Sequence, residues 1–480
     1  DEEKNEAKII EIYEKLINYS VNAGVIRPAV LTKVWSILGR CPRMLDHIIS
    51  QLLAAYHQPN VNDVVSDSLD DIIASVAAVN ASLVAGKIIT RLLTRLDETS
   101  EGNNIERIEK HPSWKEIEVM LRWLVILSFD NLLCVESYLP ELLHVILMSF
   151  FTGDSLIRSS IYGLFVNIIH SLFSSEVCHE EKQQMLRMKF NQFQELPTRL
   201  QFGIGGQASY APFQAPSARD GKLDNVSLAN VENVAGFLFQ VLNACTKDAN
   251  CIGTPQHSRW LSLVSRTAFA PNPLLQPRAI IALGVLAQSP SLITDELIGN
   301  LLKLLREALA ACESAKQIDD LTLAIIICLS RLFLHISADS KYYQSFFWIA
   351  MSLLQIHDTK LFASCVHFLD QIVHSMSDNG CFRGQGLATF CASARKGPSE
   401  RMLAKLDQLS GLSFKYDFSF AVAGHLLKGL KNVGTKAAVT RLLNTFVEYS
   451  QENNPANVTG YFAAILPHCG DNLSESCRQR

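Results

Sequence analysis

The stretch LQPRAIIALGVL, residues 275–286, is the part of the sequence that decides the fold. Pro277 stands in the first turn of a predicted helix, where its missing N–H costs no hydrogen bond. Arg278 follows at once, and the small residues Ala282 and Gly284 leave room for another helix to approach closely. This order resembles the second helix of a HEAT repeat, in which the arginine often hydrogen-bonds into the adjacent unit. The stretch therefore predicts a stacked helical hairpin.

A second stretch, DSLIRSSIYGLF at residues 154–165, has the same character. Asp154 is a typical helix N-cap, because its carboxylate accepts hydrogen bonds from the exposed N–H groups of the first turn. The helix that follows is apolar, and its small residue Gly163 is placed at a packing face. We interpret Asp154, Arg158, Pro277 and Arg278 as structural residues of the repeats.

Apolar residues recur at helical spacing along the whole chain, whereas the alternation typical of half-buried strands is nearly absent. Ile72, Ile73, Val76 and Val79 form one such stripe. Proline and glycine breaks fall roughly every 15–20 residues in many places. Paired helices of about 40–47 residues are the HEAT and armadillo period. The predicted fold class is all-α, a HEAT/armadillo-like α-solenoid of stacked helical hairpins.

One region interrupts the helical pattern. Residues 203–223 are small and polar, with several glycines and prolines. Residues 201–225 are therefore predicted to be a flexible loop or disordered insert. Helical repeats are expected on both sides, over residues 1–200 as the first half of the solenoid and 226–480 as the second.

Composition bounds the function. The chain has 480 residues, 48% of them hydrophobic, and a net charge of −4. It can therefore bury a large core, and no overall basic field favours nucleic-acid binding. Twelve cysteines lie at irregular spacings, which is typical of reduced thiols in a cytoplasmic protein. The longest apolar runs, near 119–127 and 142–151, are shorter than the ~18–20 residues of a membrane span. The start at Asp1 is expected for a piece of a longer polypeptide.

Candidate chemistry is sparse. Cys365, His367 and His374 are the best metal constellation, but on a helix the first two point to different faces. Gly203, Gly205 and Gly206 lack the Lys-Ser/Thr that completes a phosphate-binding loop. Histidines such as His170 stand singly in separate helices, so no nucleophile–base pair can be assigned. We expect no catalytic residue, no metal and no cofactor.

Basic residues are frequent in the last fifth of the chain and form a candidate surface: Arg395, Lys396, Arg401, Lys405, Lys428, Lys431, Lys436 and Arg441. On one face of a solenoid they would meet an anionic membrane, an acidic partner or a phosphorylated segment. The ordinary solvated sides of successive helices are the more common reason for such a run of charges. The sequence leaves both interpretations open.

Several stretches resemble the neurofibromin family of Ras GTPase-activating proteins. They follow the family's order and cover most of the chain from Trp35 to Pro467. The stretch 411–429, GLSFKYDFSFAVAGHLLKG, is the most specific of them. The others are 35–39, 111–114, 127–131, 138–145, 163–172, 269–279, 347–355 and 461–467. Residues 201–223 and 380–396 depart from the family's sequence.

The resemblance implies the C-terminal repeat region of such a protein. Nothing in the chain matches the family's arginine finger or its Phe-Leu-Arg motif, so Ras would be engaged through an activating domain elsewhere. Family members form large homodimers of helical-repeat arms, which implies a scaffold role in dimer assembly. We expect the helices from Gly424 to Leu466 to contribute to that contact. The alternative is an adaptor solenoid, karyopherin-like or coat-like, that binds a partner or an anionic membrane through its basic C-terminal face.

Overall fold

The computed structural model describes residues 2–22, 28–59, 61–99, 107–174, 180–204, 228–246, 250–315, 318–356, 358–395, 400–451 and 458–467. Every regular element within these ranges is a helix, and none of the described residues forms a strand. The predicted all-α class is confirmed.

Two compact units divide the chain, Asp1–Leu286 and Ala287–Arg480. The loop or insert predicted at residues 201–225 falls within the first of these units. Of that segment, only 201–204 are described, and they follow the helix Leu196–Gln201; the rest of the predicted loop lies outside the described residues. The helices that flank it, Glu180–Gln194 and Leu228–Ala244, pack against each other within the first unit. The break in the sequence pattern is therefore not the boundary between the compact units.

The first unit is built from helices that pack on their neighbours in the chain and on the next helix but one. Its helices are α1 (Glu2–Asn22), α2 (Pro28–Val30), α3 (Ser36–Leu38), α4 (Leu45–Tyr56), α5 (Asp63–Ala77), α6 (Ala81–Glu98), α7 (Trp114–Ser128), α8 (Val135–Ser149), α9 (Ser155–Ser174), α10 (Glu180–Gln194), α11 (Leu196–Gln201), α12 (Leu228–Ala244), α13 (Pro255–Ala268) and α14 (Gln276–Leu286). A π-helical turn, Leu31–Trp35, joins α2 to α3. Helices α5, α6 and α7 pack in sequence, and α7 also packs on α9 and α12 on α14. Such contacts between next-but-one helices stack one hairpin on another, as the repeat pattern predicts.

The second unit follows the same principle. Its helices are α15 (Asp295–Ala315), α16 (Asp320–Phe333), α17 (Ser345–Leu353), α18 (Thr359–Asp378), α19 (Leu387–Ser393), α20 (Glu400–Ser410), α21 (Phe418–Leu426), α22 (Val433–Gln451) and α23 (459–467). Helix α18 is the centre of the unit, because it packs on α16, α17 and α22. Its buried stripe includes Phe362, Phe368 and Ile372.

Side-chain caps fix where many helices begin. The Asp154 Oδ1 atom accepts from the Ile157 N–H at 2.9 Å, which confirms the predicted cap of α9. Asp319 caps α16 and Asp358 caps α18 in the same way, each at 2.8 Å. These caps satisfy N–H groups that have no partner inside the helix. The predicted packing role of Gly163 is wrong, since a Cβ built there meets nothing within 4 Å.

Helix α9 is the one described helix that is long and apolar enough, by length and composition, to cross a membrane. The lengths of the uninterrupted apolar runs did not indicate this helix, because polar residues divide its apolar residues into shorter runs. In the structure Ile161, Leu164, Phe165 and Ile168 are buried, and the helix packs on α7 and α8. Packing on these two helices covers the apolar residues of that face.

Candidate interaction surfaces

Arg278 joins two hairpins of the first unit. Its Nη1 atom donates to the carbonyl oxygens of Met148 and Phe150, at 2.9 and 2.8 Å. Both carbonyls belong to the C-terminal end of α8, where the helix itself supplies no partner. The guanidinium also lies 5.1 Å from the centre of the Phe150 ring. Burial lowers the pKa of Arg278 to about 10. The expected hydrogen bond into an adjacent unit is present.

The other predicted repeat residues are structural as well. Pro277 is buried in the first turn of α14. Arg158 lies 4.7 Å over the ring of Phe151, and it packs against Gly203, whose added Cβ would stand 3.0 Å from the arginine side chain. These residues hold the turns between helices, and none of them builds a site for a ligand.

Ion pairs between neighbouring helices form a second set of links. Arg95 of α6 donates to Glu116 of α7 at 2.6 Å, and Arg91 lies 3.5 Å from the same carboxylate. Arg122 of α7 donates to Asp70 of α5 at 2.6 Å. Burial raises the pKa of Asp70, against the opposing effects of its hydrogen bonds. Sequence reasoning missed these pairs because the partners stand 21 to 52 residues apart.

Buried histidines give no catalytic arrangement. His144 is enclosed between α8 and α13, and burial, with a smaller effect of Arg266, lowers its pKa to about 3. Burial also lowers the pKa of His257, whose Nε2 lies 3.1 Å from the Leu286 carbonyl oxygen. His425 has a lowered pKa for the same reason. Such rings stay neutral near pH 7 and serve as packed polar groups.

The structure separates the three residues weighed as metal ligands. Cys365 is fully buried, and burial raises the pKa of its thiol to about 12. His367 is exposed, with its Nε2 atom 3.1 Å from Gln371. His374 lies beside Asp370, at 3.6 Å. No group of three metal-binding side chains occurs within the described ranges.

Arg395 does not belong to the predicted basic surface. Its side chain is 13% exposed and pairs with Asp407 at 3.0 Å. Its guanidinium lies 4.7 Å from the Trp348 ring and 5.6 Å from the Phe414 ring. Arg395 therefore ties α17 to α20 as an interior cation. Lys396 lies outside the described residues, and Arg401 is in α20 without a described side chain.

The remaining basic residues are exposed, namely Lys405, Lys428, Lys431, Lys436 and Arg441. The last four lie within residues 418–447, which contain no aspartate or glutamate. Between two of these lysines stands Val433, whose exposed fraction is 93%. Lys428 donates to Gln355 at 3.1 Å. This tip, Lys428–Lys436, combines three lysines with one solvated apolar side chain.

Helix α23 leaves an apolar face in solvent. Tyr461 and Ala464 are buried against the rest of the unit. Phe462 and Leu466 stand one turn apart on the outer side and are 54% and 67% exposed. Side chains four residues apart on a helix are neighbours, so these two form one apolar patch, here called the α23 patch.

Comparison of the sequence with known proteins identifies relatives of the chain. No protein-family model matches it. It is 21% identical over 465 residues to the inhibitory regulator protein IRA2 of Saccharomyces cerevisiae, and 22% identical over 470 residues to IRA1 of the same yeast. Each match covers 95% of this chain. The chain is a distant neurofibromin-like relative of these regulators. It spans 14% of the length of either one.

One similar solved structure is a chain from a study of tubulin recruitment by microtubule polymerases with tumor overexpressed gene domain arrays. The match covers 95% of this chain and 91% of the solved chain, at 12% identity and a TM-score of 0.24. A score this low says nothing further about the architecture.

Proposed function

We propose that this chain is a non-catalytic helical-repeat scaffold within a neurofibromin-like negative regulator of Ras signalling. In a longer cytoplasmic protein it supports homodimer assembly and positions a GTPase-activating domain carried elsewhere. The similarity of the chain to two inhibitory regulators over 95% of its length supports the proposal that it belongs to a regulator of Ras signalling. Repeat arrays offer extended surfaces rather than enclosed sites, which suits a scaffold.

The observation that carries the assembly role is the α23 patch. A phenylalanine and a leucine on adjacent turns, both more than half exposed, are unfavourable in water and gain free energy when covered. We propose that the second copy of the protein covers the α23 patch in the dimer. Tyr461 and Ala464 anchor the opposite side of the same helix in the core, so the patch is presented on a fixed element.

Sedimentation velocity of the full-length protein tests this role. The double variant Phe462→Ser, Leu466→Ser removes the patch while leaving the buried side of α23 unchanged. Interface centres built on large apolar side chains lose about 2 kcal/mol or more when truncated, so we expect the dimer to dissociate at least tenfold more readily. The matched control is Val64→Ser, which removes a half-exposed apolar side chain from α5. Undiminished dimerisation of the folded double variant contradicts the proposal.

The non-catalytic part is tested with Ras itself. An arginine finger supplied by an activating protein accelerates GTP hydrolysis by about 10³–10⁵. In single-turnover hydrolysis, the purified chain is expected to leave the rate of Ras unchanged within twofold. A stimulation of about tenfold or more would show that the chain carries a finger of its own.

A second candidate function, binding an anionic membrane, is favoured by the Lys428–Lys436 tip. Its three lysines have no acidic neighbour in the sequence, and its exposed Val433 can enter the lipid interface. Each basic residue near an anionic surface contributes roughly 1 kcal/mol. Sedimentation with phosphatidylserine vesicles, against neutral phosphatidylcholine vesicles, tests it. Binding to the anionic vesicles that is lost on changing Lys428, Lys431 and Lys436 to Glu supports the membrane role; equal binding by wild type and variant rejects it.

A further inference from the structure

A polar cavity of about 230 Å³ opens where α7 and α9 end. On one side it is lined by the C-terminal residue of α7 and the turn after it, Ser128 to Asn131. On the other side stand residues at positions 167, 170, 171 and 174 of α9. This spacing of three and four places those four side chains on one face of the helix.

The cavity is electronegative for two reasons. Helix α7 finishes at it, at Ser128, and a helix C-terminus carries about half a negative elementary charge. The carboxylate of Asp130 adds a full negative charge at the rim. These two contributions reinforce one another.

The lining holds one titratable base, His170, whose ring packs edge-on against Phe190. None of the eight lining residues is a lysine or an arginine. The sequence has neither residue from Trp123 to Ile157, nor from Ser159 to Glu181. On the neighbouring helix α10, Arg187 lies over the ring of Phe173, 5.7 Å from its centre. The complement of the cavity is therefore a positively charged ligand.

The hydrogen-bonding groups specify the kind of cation. Asn167 donates one N–H of its Nδ2 to Ser128 Oγ at 2.8 Å, and its amide oxygen can accept from a ligand. Asp130 accepts through two oxygens. A guanidinium offers five N–H donors in a plane and no acceptor, which suits such a set.

The rim adds an aromatic ring. Phe129 follows the last residue of α7 and is 71% exposed. Guanidinium groups stack on aromatic faces, and they shed water more easily than ammonium groups. The cavity is also far larger than a bare metal ion, and the described residues contain no cluster of metal-binding side chains.

We propose that this cavity binds the guanidinium group of an arginine side chain from a partner protein. A side chain fits better than free arginine, because the carboxylate of the free amino acid would face the C-terminal end of α7 and the Asp130 carboxylate, with no lysine or arginine in the lining to pair with it. The site is independent of the assembly role, and it lies on helices other than α23.

Ligand-observed NMR with the whole chain tests the site. The probe is N-acetyl-arginine methylamide, and its neutral matched control is N-acetyl-citrulline methylamide, which has nearly the same shape. We expect the arginine compound to bind at least fivefold more tightly, and less tightly as salt is raised. Equal binding of the two compounds contradicts the proposal, and tighter binding of free arginine than of the blocked compound rejects a protein side chain as the ligand.

Three variants locate the binding. Asp130→Asn removes the exposed carboxylate and is expected to weaken the arginine compound at least fivefold. Ser171→Asp adds a carboxylate to the lining and is expected to strengthen it. Asp339→Asn removes a charge from an exposed turn of the second unit and is expected to change nothing. Unaltered affinity in both cavity variants, with circular dichroism like that of the wild type, overturns the assignment.

Discussion

The guanidinium of Arg278 hydrogen-bonds the carbonyl oxygen of Phe150 at 2.8 Å, across 128 residues of sequence. The same nitrogen reaches Met148. One side chain at the start of α14 thereby completes the C-terminal end of α8, a helix from a different hairpin. Stacking in this unit depends on such polar links as well as on apolar contact.

Replacing Arg278 is expected to destabilise the first unit. Arg278→Met keeps most of the volume but leaves two carbonyls of α8 without their donor. Hydrogen bonds to charged groups contribute about 1.5–3 kcal/mol, so the free energy of unfolding should fall by roughly 2–4 kcal/mol. Urea denaturation followed by circular dichroism measures this change. Arg278→Lys should recover only part of it, since an ammonium cannot reproduce the planar fork. A loss below 0.5 kcal/mol would mean that water replaces the arginine at no cost.

Much of this link is predictable from local sequence. Proline in the first turn followed by arginine marks the start of α14, and Asp154 marks the start of α9, because caps and first turns depend on neighbouring residues. The partner helix of Arg278 is not predictable, since it depends on how distant hairpins stack. Arg395 shows the same limit. In sequence it belongs to a run of basic residues, yet packing places it between Trp348 and Phe414.

Acid is expected to destabilise the chain through His144. The unfolded chain binds a proton on this ring below about pH 6.5, whereas the folded ring does so only near pH 3. Between these pH values the unfolded state binds more protons than the folded state. The contribution of neutral His144 to the free energy of unfolding is therefore fully present above pH 6.5 and falls as the pH is lowered. From pH 7 to pH 5 the loss from this residue is about 2 kcal/mol.

His144→Gln measures that contribution. The variant removes the titrating ring, so its free energy of unfolding should fall by about 2 kcal/mol less than that of the wild type between pH 7 and pH 5. Thr267 lies 3.4 Å from the histidine Nε2, and Thr267→Val, which keeps the ring, should retain the full pH dependence. Parallel pH profiles for wild type and His144→Gln would show that the ring gains its proton without unfolding.

Replacing Gly429 or Gly163 by alanine is expected to change the stability of the chain in opposite directions. Gly429 is buried, and a Cβ there would stand 2.6 Å from Val439 Cγ2 and closer still to the Phe362 ring. Gly429→Ala is expected to cost about 1–3 kcal/mol through overpacking. Gly163 lies within α9 with nothing near its Cβ position, so Gly163→Ala should stabilise the chain by about 0.5–1 kcal/mol. Thermal unfolding of both variants tests the pair, and a similar shift in both would contradict the packing described.

The candidate surfaces were less accessible to sequence reasoning than the fold. The exposed lysines at 428, 431 and 436 stand out in sequence as a run without acidic neighbours. The cavity between α7 and α9 does not, because its lining comes from two segments about 40 residues apart that only the stacking of hairpins brings together. The α23 patch is only partly predictable from the sequence. Its residues are visibly apolar, but only the packed helix shows which of them remain in solvent.

The central claim is that this chain supports dimer assembly of the protein to which it belongs. Comparing the oligomeric state of the full-length protein with and without residues 1–480 tests it most directly. Sedimentation velocity measures both species under the same conditions. The scaffold account predicts that the intact protein sediments as a dimer and that the deleted protein, still folded by circular dichroism, sediments as a monomer. A deleted protein that remains a dimer of undiminished stability would contradict it.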